Sequence, residues 1–271
     1  MSQGFTNMGR PRQLQPSQPG HQRHRRPVSN CLTVAEIYAG LQGESTFAGL
    51  PCVFVRLTGC PLRCSYCDTA YAFRGGRRMT VAAVRAAVLK TAGRWPAPPA
   101  APRLPLVELT GGEPLQQTAS LDLMRRLCDD GFTVLLETSG ALDIGPVDPR
   151  VRRIVDLKCP ASGESHRNRW ANLPLLRSTD EVKFVIATLE DYQWSIDTLQ
   201  RHRLTERCTV LFSWAAPLEP RQQEPSLKPM TKGLHPLSRR ELAERIIADA
   251  LPVRFQIQMH KVLWPPDARG V

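Results

Sequence analysis

No stretch of this sequence approaches the roughly 20 consecutive apolar residues that a membrane-spanning helix needs. The N-terminus also lacks the apolar core of a signal peptide. A cytoplasmic protein is therefore expected. Residues 1–30 contain no Asp or Glu and little that is apolar. Arg10, Arg12, Arg23, Arg25 and Arg26 stand there among Gln, Pro and Ser. Such a segment has nothing to bury, so a disordered basic tail is expected over 1–30 and one folded domain over 31–271. Cysteine is scarce, with eight in 271 residues, which excludes a disulfide scaffold in a chain this long. Three of the eight crowd together, which points to metal in a reducing compartment. Cys31, Cys52, Cys128, Cys159 and Cys208 are scattered and read as small apolar fillers.

Apolar residues make up 42% of the chain, enough for a sizeable core, and the net charge is +11. A basic balance suits anionic partners such as nucleic acid or a carboxylated small molecule. No nucleic-acid-binding motif accompanies the charge, so a solvated surface with a basic tail is the plainer account.

The body alternates strand and helix patterns. Strands are expected at 53–58, 104–109, 133–137, 153–157, 182–187, 209–213 and 255–259. Helices are expected at 80–90, with Thr80 as N-cap, and at 121–129, 190–201 and 238–249. Residues 95–102 and 217–236 are rich in Pro and read as loops. Parallel strands joined by helical crossovers give an α/β fold with a mostly parallel sheet, about seven strands curled into a partial or complete barrel. Chemistry in such a sheet lies at the C-terminal ends of the strands.

Two motifs fall there. Cys60, Cys64 and Cys67 have the spacing C-x3-C-x2-C directly after the first of those strands. Three thiolates this close can hold three irons of one cubane and leave the fourth without a protein ligand. A structural zinc site would want a fourth ligand nearby, and the next His downstream is His166. The second motif is Thr110–Pro114, where Gly111 and Gly112 allow close backbone approach and Glu113 can accept from an ammonium group. A tight turn before a helix is the alternative reading of that segment.

Together the motifs resemble the radical S-adenosylmethionine (SAM) superfamily, with Tyr66 as the aromatic before the third Cys. Within it the chain is similar to the 7-carboxy-7-deazaguanine synthases. The likeness runs from Leu32 to Val271 through Tyr38–Glu44, Phe54–Arg56, Asp68–Thr69, Thr110–Pro114, Glu137–Gly140, Asp156–Lys158 and His260–Lys261. It implies a partial (β/α) barrel of the radical SAM type and a catalytic domain over 31–271. It also implies a 4Fe–4S cluster on Cys60, Cys64 and Cys67, SAM, and Mg²⁺ on Thr69. Tyr66, Cys67, Asp68, Gly112, Glu113, Glu137, Ser139, Lys158 and Ser213 are implied at SAM. Leu41, Gln42, Gly43, Glu44, Arg56 and Thr110 are implied at the substrate, where Arg56 could grip a carboxylate with two hydrogen bonds. His260 and Lys261 either touch substrate or only close the barrel. No glycine-rich adenine motif appears near residues 170–190.

The implied reaction converts 6-carboxy-5,6,7,8-tetrahydropterin to 7-carboxy-7-deazaguanine with loss of ammonia, on the route to queuosine. A flavodoxin or ferredoxin as electron donor and a homodimer go with it. Two other classes fit parts of the pattern. An activase that installs a glycyl radical on a partner enzyme shares the cysteine spacing, and a zinc-bearing nucleic-acid binder shares only charge and cysteines. Because residues 1–30 precede every motif, deleting them is expected to leave turnover intact. A large loss of turnover in the truncated, folded protein would place the tail in the site.

Overall fold

The computed structural model describes Met1, residues 30–93, Trp95 and residues 104–270. The basic tail and most of the Pro-rich loop at 95–102 therefore lie outside the described residues. Nine strands form one sheet: β1 Cys31–Leu41, β2 Pro51–Leu57, β3 Arg77–Thr80, β4 Leu106–Gly111, β5 Val134–Thr138, β6 Arg152–Leu157, β7 Glu181–Ile186, β8 Thr209–Trp214 and β9 Arg254–Gln256. Their spatial order is β3-β1-β2-β4-β5-β6-β7-β8-β9. All neighbours from β2 to β9 are parallel, whereas β1 runs antiparallel to both β2 and β3. The sheet is open, so the barrel is partial. No helix of the described residues is long and apolar enough to cross a membrane.

The helices are α1 Val81–Ala92, α2 Ala119–Asp129, α3 Leu189–His202, α4 Arg239–Ala248 and a short α5 His260–Leu263. Their starts follow local chemistry. The Thr80 hydroxyl accepts from the Ala83 amide, and Ser238 forms a capping box with Glu241.

Three expectations are corrected. Among the described residues there are nine strands rather than about seven, because the expectation did not include β1 and β3. The strand expected over 255–259 is only Arg254–Gln256, and the chain then turns into α5. The Pro-rich stretch at 217–236 is not wholly irregular, since it holds a 3-10 turn at Pro220–Gln222 and a bridge from Pro236 to Thr188.

Strand periodicity explains how the site is built. One parity of each strand faces the helices: Val53, Val55 and Leu57, Val107 and Leu109, Leu136, Val155 and Leu157, Val182 and Phe184. The other parity faces the barrel interior, and it changes character along the strands. At the N-terminal end it is apolar, with Cys52, Phe54, Leu106, Leu135 and Ile154 in one cluster. Further along it is polar: Arg56, Glu108 and Thr110, Glu137 and Ser139, Asp156 and Lys158, and Lys183 all line one cleft. The loop after β1 closes the apolar end. Thr46 donates to Glu181, the first residue of β7, and the Ser45 carbonyl accepts from Gln256 of β9, 2.9 Å away.

Candidate active site

The cleft holds about 220 Å³ of space open to water. At its C-terminal rim the loop after β2 carries Cys60, Cys64 and Cys67, and all three line the cleft. Gly111 and Gly112 allow this loop to sit where it does. Gly111 has φ +130°, and a Cβ on Gly112 would collide with the Gly59 carbonyl. The Glu113 amide instead donates to that carbonyl at 2.8 Å. Gly111 thus lies against the Leu57 backbone of β2, and Gly112 brings the end of β4 against the cysteine loop.

Burial pushes the Cys64 thiol up to about 11 and the Cys67 thiol up to about 12, and raises Cys60 in the same direction. The buried ammonium of Lys158 works against this at all three thiols. Lys158 is itself paired with Asp156 at 2.7 Å. Iron bound here would displace the thiol protons. Among the described residues, no three His, Cys, Asp or Glu side chains stand as a chelate for one ion.

The resemblance placed sixteen residues around a common site besides Glu113 and Ser213. Leu41, Gln42, Gly43, Glu44, Arg56 and Thr110 all reach the cleft, as do Tyr66, Asp68, Thr69, Gly112, Glu137, Ser139 and Lys158 along with the three cysteines. Glu113 is fully buried and faces elsewhere. Its carboxylate accepts from the Ser139 amide at 2.8 Å, Thr138 Oγ1 at 2.9 Å and the Leu115 amide at 3.0 Å. It ties the turn after β4 to the end of β5. Ser213 is buried at the end of β8 and is not part of the lining, which Ala215 and Ala216 supply instead.

Sequence reasoning missed Lys183, the centre of the polar layer. Its ammonium bridges Glu44, at 2.9 Å, and Glu137. Burial would lower its pKa, but those two carboxylates outweigh burial and hold it charged. In turn, burial favours neutral Glu44, yet Lys183 and His260 bring its pKa down to about 2. Glu108 was also missed. Both could have been found, because a Lys or Glu at the inward parity of an otherwise apolar buried strand needs a partner or a function.

Arg56 is partly engaged already. Its Nε donates to Glu36 at 2.8 Å and its Nη2 to the Tyr38 hydroxyl at 3.1 Å. Only the Nη1 side stays clear of these bonds, so the two-bond grip expected from sequence is not open in this arrangement. His260 and Lys261 do come to the site. Lys261 pairs with Asp68 at 2.7 Å, and Gln258 donates to both Glu44 and Asp68.

The radical SAM superfamily profile matches residues 54–214. A 7-carboxy-7-deazaguanine synthase of Chlorobaculum tepidum is 41% identical over 243 residues, covering 89% of this chain and 97% of that protein. One of Koribacter versatilis is 40% identical over 247 residues, covering 89% of this chain and 100% of that protein. The chain belongs to the radical SAM superfamily, in the 7-carboxy-7-deazaguanine synthase family.

Membership in the radical SAM superfamily brings a 4Fe–4S cluster and SAM as cofactors. The donor set fits them. Three thiols of one loop line a single cleft, with a buried cation beside them. Asp156 Oδ1 is buried in the lining without a hydrogen-bond partner among the described residues, an acceptor a bound group can use. Solved structures share the fold of this radical SAM chain. QueE from Escherichia coli superposes with a TM-score of 0.61 at 20% identity, over 84% of this chain and 94% of that one. Streptococcus suis SuiB bound to S-adenosylmethionine gives a TM-score of 0.52 at 12% identity, over 74% and 48%.

Proposed function

We propose that this chain is a 7-carboxy-7-deazaguanine synthase that converts 6-carboxy-5,6,7,8-tetrahydropterin to 7-carboxy-7-deazaguanine with release of ammonia. The observation that carries this is the 41% identity to a synthase of that name over 89% of the chain. The cleft's polar lining, built from acids, amides and buried cations, supports it. When bound, the reduced cluster and SAM supply a carbon-centred radical that takes one hydrogen atom from the substrate.

The chain's own residues bind, orient and exclude water. Tyr38 and Phe54, stacked at 5.1 Å, form an apolar wall for a flat heterocycle. Lys183 holds Glu44 and Glu137 in place as hydrogen-bond acceptors. Arg56 lines the cleft, with Nη1 outside its bonds to Glu36 and Tyr38 and available to a carboxylate. Pro266, Ala268 and Arg269 of the C-terminal segment cover part of the mouth, with the Arg269 guanidinium 4.1 Å over the Tyr71 ring.

Incubating anaerobically reconstituted protein with the carboxylated pterin, SAM and a reductant should yield the deazaguanine and one ammonia per turnover. Failure to form it, with a glycyl radical appearing on a partner enzyme, would favour the activase reading.

Mg²⁺ at Thr69 belongs to the same proposal. Thr69 occupies the N-cap position of the 3-10 turn Ala70–Phe73, yet its hydroxyl makes no capping bond and donates to Asp68 at 2.9 Å beside the cleft. One protein oxygen suffices for Mg²⁺ when substrate oxygens and waters complete the octahedron. Thr69→Val keeps the shape and removes the oxygen. It is expected to raise the Mg²⁺ needed for half-maximal stimulation on the order of tenfold while sparing the cluster. An unaltered Mg²⁺ response would make Thr69 a packing residue.

A flavodoxin or ferredoxin as electron donor is part of this reading. Exposed Arg74, Arg77 and Arg78, which follow the cysteine loop, offer an acidic carrier a favourable approach. A homodimer is proposed on family likeness alone.

A further inference from the structure

The polar layer of the barrel contains an imbalance of charge. Three carboxyl groups, Glu44, Glu108 and Glu137, stand around one ammonium, that of Lys183, with the His260 ring 4.0 Å from Glu44. Lys183 is bonded to Glu44 and Glu137, so among the described residues Glu108 is the one of the three with no ion pair. It is 1% exposed and stands in register between Phe54 of β2 and Leu135 of β5, on the apolar floor.

Among the described residues its side chain makes one hydrogen bond, in which Oε2 accepts from Gln42 Nε2 at 3.1 Å. The Gln42 amide cannot be turned round. Its Oε1 already accepts from the Glu44 amide at 2.9 Å and the Ser45 amide at 3.1 Å. Glu108 therefore faces a fixed neutral donor on one oxygen and lines the cleft beside the Tyr38–Phe54 stack.

We propose that Glu108 is a positioning residue that meets the substrate as a neutral carboxyl, its Oε1 donating to a carbonyl or ring-nitrogen acceptor of the bound heterocycle. This rests on the reaction proposed above. Burial, and then the charges of Glu137 and Glu44, push its pKa up to about 8, against the Gln42 bond and the more distant Lys183. Tyr38 from β1 and Cys52 from β2 are the other titratable groups beside it, and burial keeps both protonated at neutral pH. A protonated carboxyl and a primary amide both donate, whereas a carboxylate only accepts. Gln is therefore the mimic of the state proposed, and Ala is its removal.

At pH 7, Glu108→Ala is expected to raise KM for the pterin by at least about tenfold, the size of one buried hydrogen bond, with less effect on kcat. Glu108→Gln should raise it only a few-fold. The parent's kcat/KM should fall above about pH 8, and that alkaline limb should be missing in Glu108→Gln. If Gln is as damaging as Ala, Glu108 works as a carboxylate and the proposal is wrong.

A second readout does not depend on the substrate. A carboxyl whose folded pKa is raised keeps its proton while the unfolded chain loses its own, so stability falls as pH rises through that window. The parent's Tm should drop relative to Glu108→Gln between pH 5 and 8. Parallel Tm curves would overturn the proposal. A parent that forms no deazaguanine, yet shows the Tm divergence, would fail the reaction assignment and leave the neutral carboxyl standing.

Discussion

Replacing any one of Cys60, Cys64 or Cys67 with Ala is expected to abolish the brown absorbance of the reconstituted protein and its SAM cleavage together. On the proposed assignment each thiolate would be the only protein ligand for one iron, so no neighbour could take over. The five other cysteines offer no reserve. Cys52, Cys159 and Cys208 are buried in the hydrophobic clusters, and Cys31 and Cys128 do not line the cleft. The fold should survive, because the cysteine loop is held by other bonds. The Arg63 amide donates to Glu164 at 2.7 Å, the Ser65 amide to the Ser162 carbonyl at 3.0 Å, and the Gly59 amide to the Ala72 carbonyl at 2.9 Å. Circular dichroism should therefore match the parent while iron content, brown absorbance and SAM cleavage are lost. A single-Cys variant with a full cluster and normal cleavage would refute the ligand assignment.

Lys183→Met is expected to have the second-largest effect, and it acts on stability as well as turnover. The Lys183 side chain is 3% exposed and its partners Glu44 and Glu137 are 19% and 24% exposed. Removing the ammonium leaves two carboxylates in the interior without their cation, which costs about 3–5 kcal/mol when one partner of a buried pair is removed. The loss should depend on pH in a definite direction. Lys183 helps to hold the folded pKa of Glu44 near 2, below its ordinary value, so the parent carries that stabilisation at neutral pH and loses it only as pH falls toward that value. In the variant, burial weighs more on Glu44, whose carboxyl takes up a proton more readily. The gap in Tm between parent and variant should shrink as pH is lowered from 7 to 5. Turnover should not return with Tm, because the polar layer that orients substrate is gone. Equal Tm at pH 7 would mean that water already screens the pair.

The structure changes the meaning of two motifs that were legible in the sequence. Gly111 and Gly112 permit close approach, as their type suggests, but what approaches is the Leu57 backbone at the end of β2 for Gly111 and the cysteine loop, through the Gly59 carbonyl, for Gly112. Glu113 is a hydrogen-bond acceptor, as expected, but its donors are Ser139, Thr138 and Leu115. Residue type sets what a group can do, and the partner is chosen by whatever the fold brings within reach.

The sequence by itself determined the close spacing of the three cysteines, the helix starts at Thr80 and Ser238, and the position of the cysteine loop after a strand end. These depend on spacings of a few residues, which local geometry controls. It also carried the two-residue alternation of each strand, yet alternation names two faces without saying which is inside. Only the tertiary structure decided that Glu108, Glu137, Asp156 and Lys183 point into one cleft, because that follows from how the sheet curls and from β1 joining it antiparallel. The ion pair of Lys183 with Glu44 joins residues 139 positions apart. No local pattern could reveal it, since the loop after β1 meets β7 only once the open barrel has formed around them both.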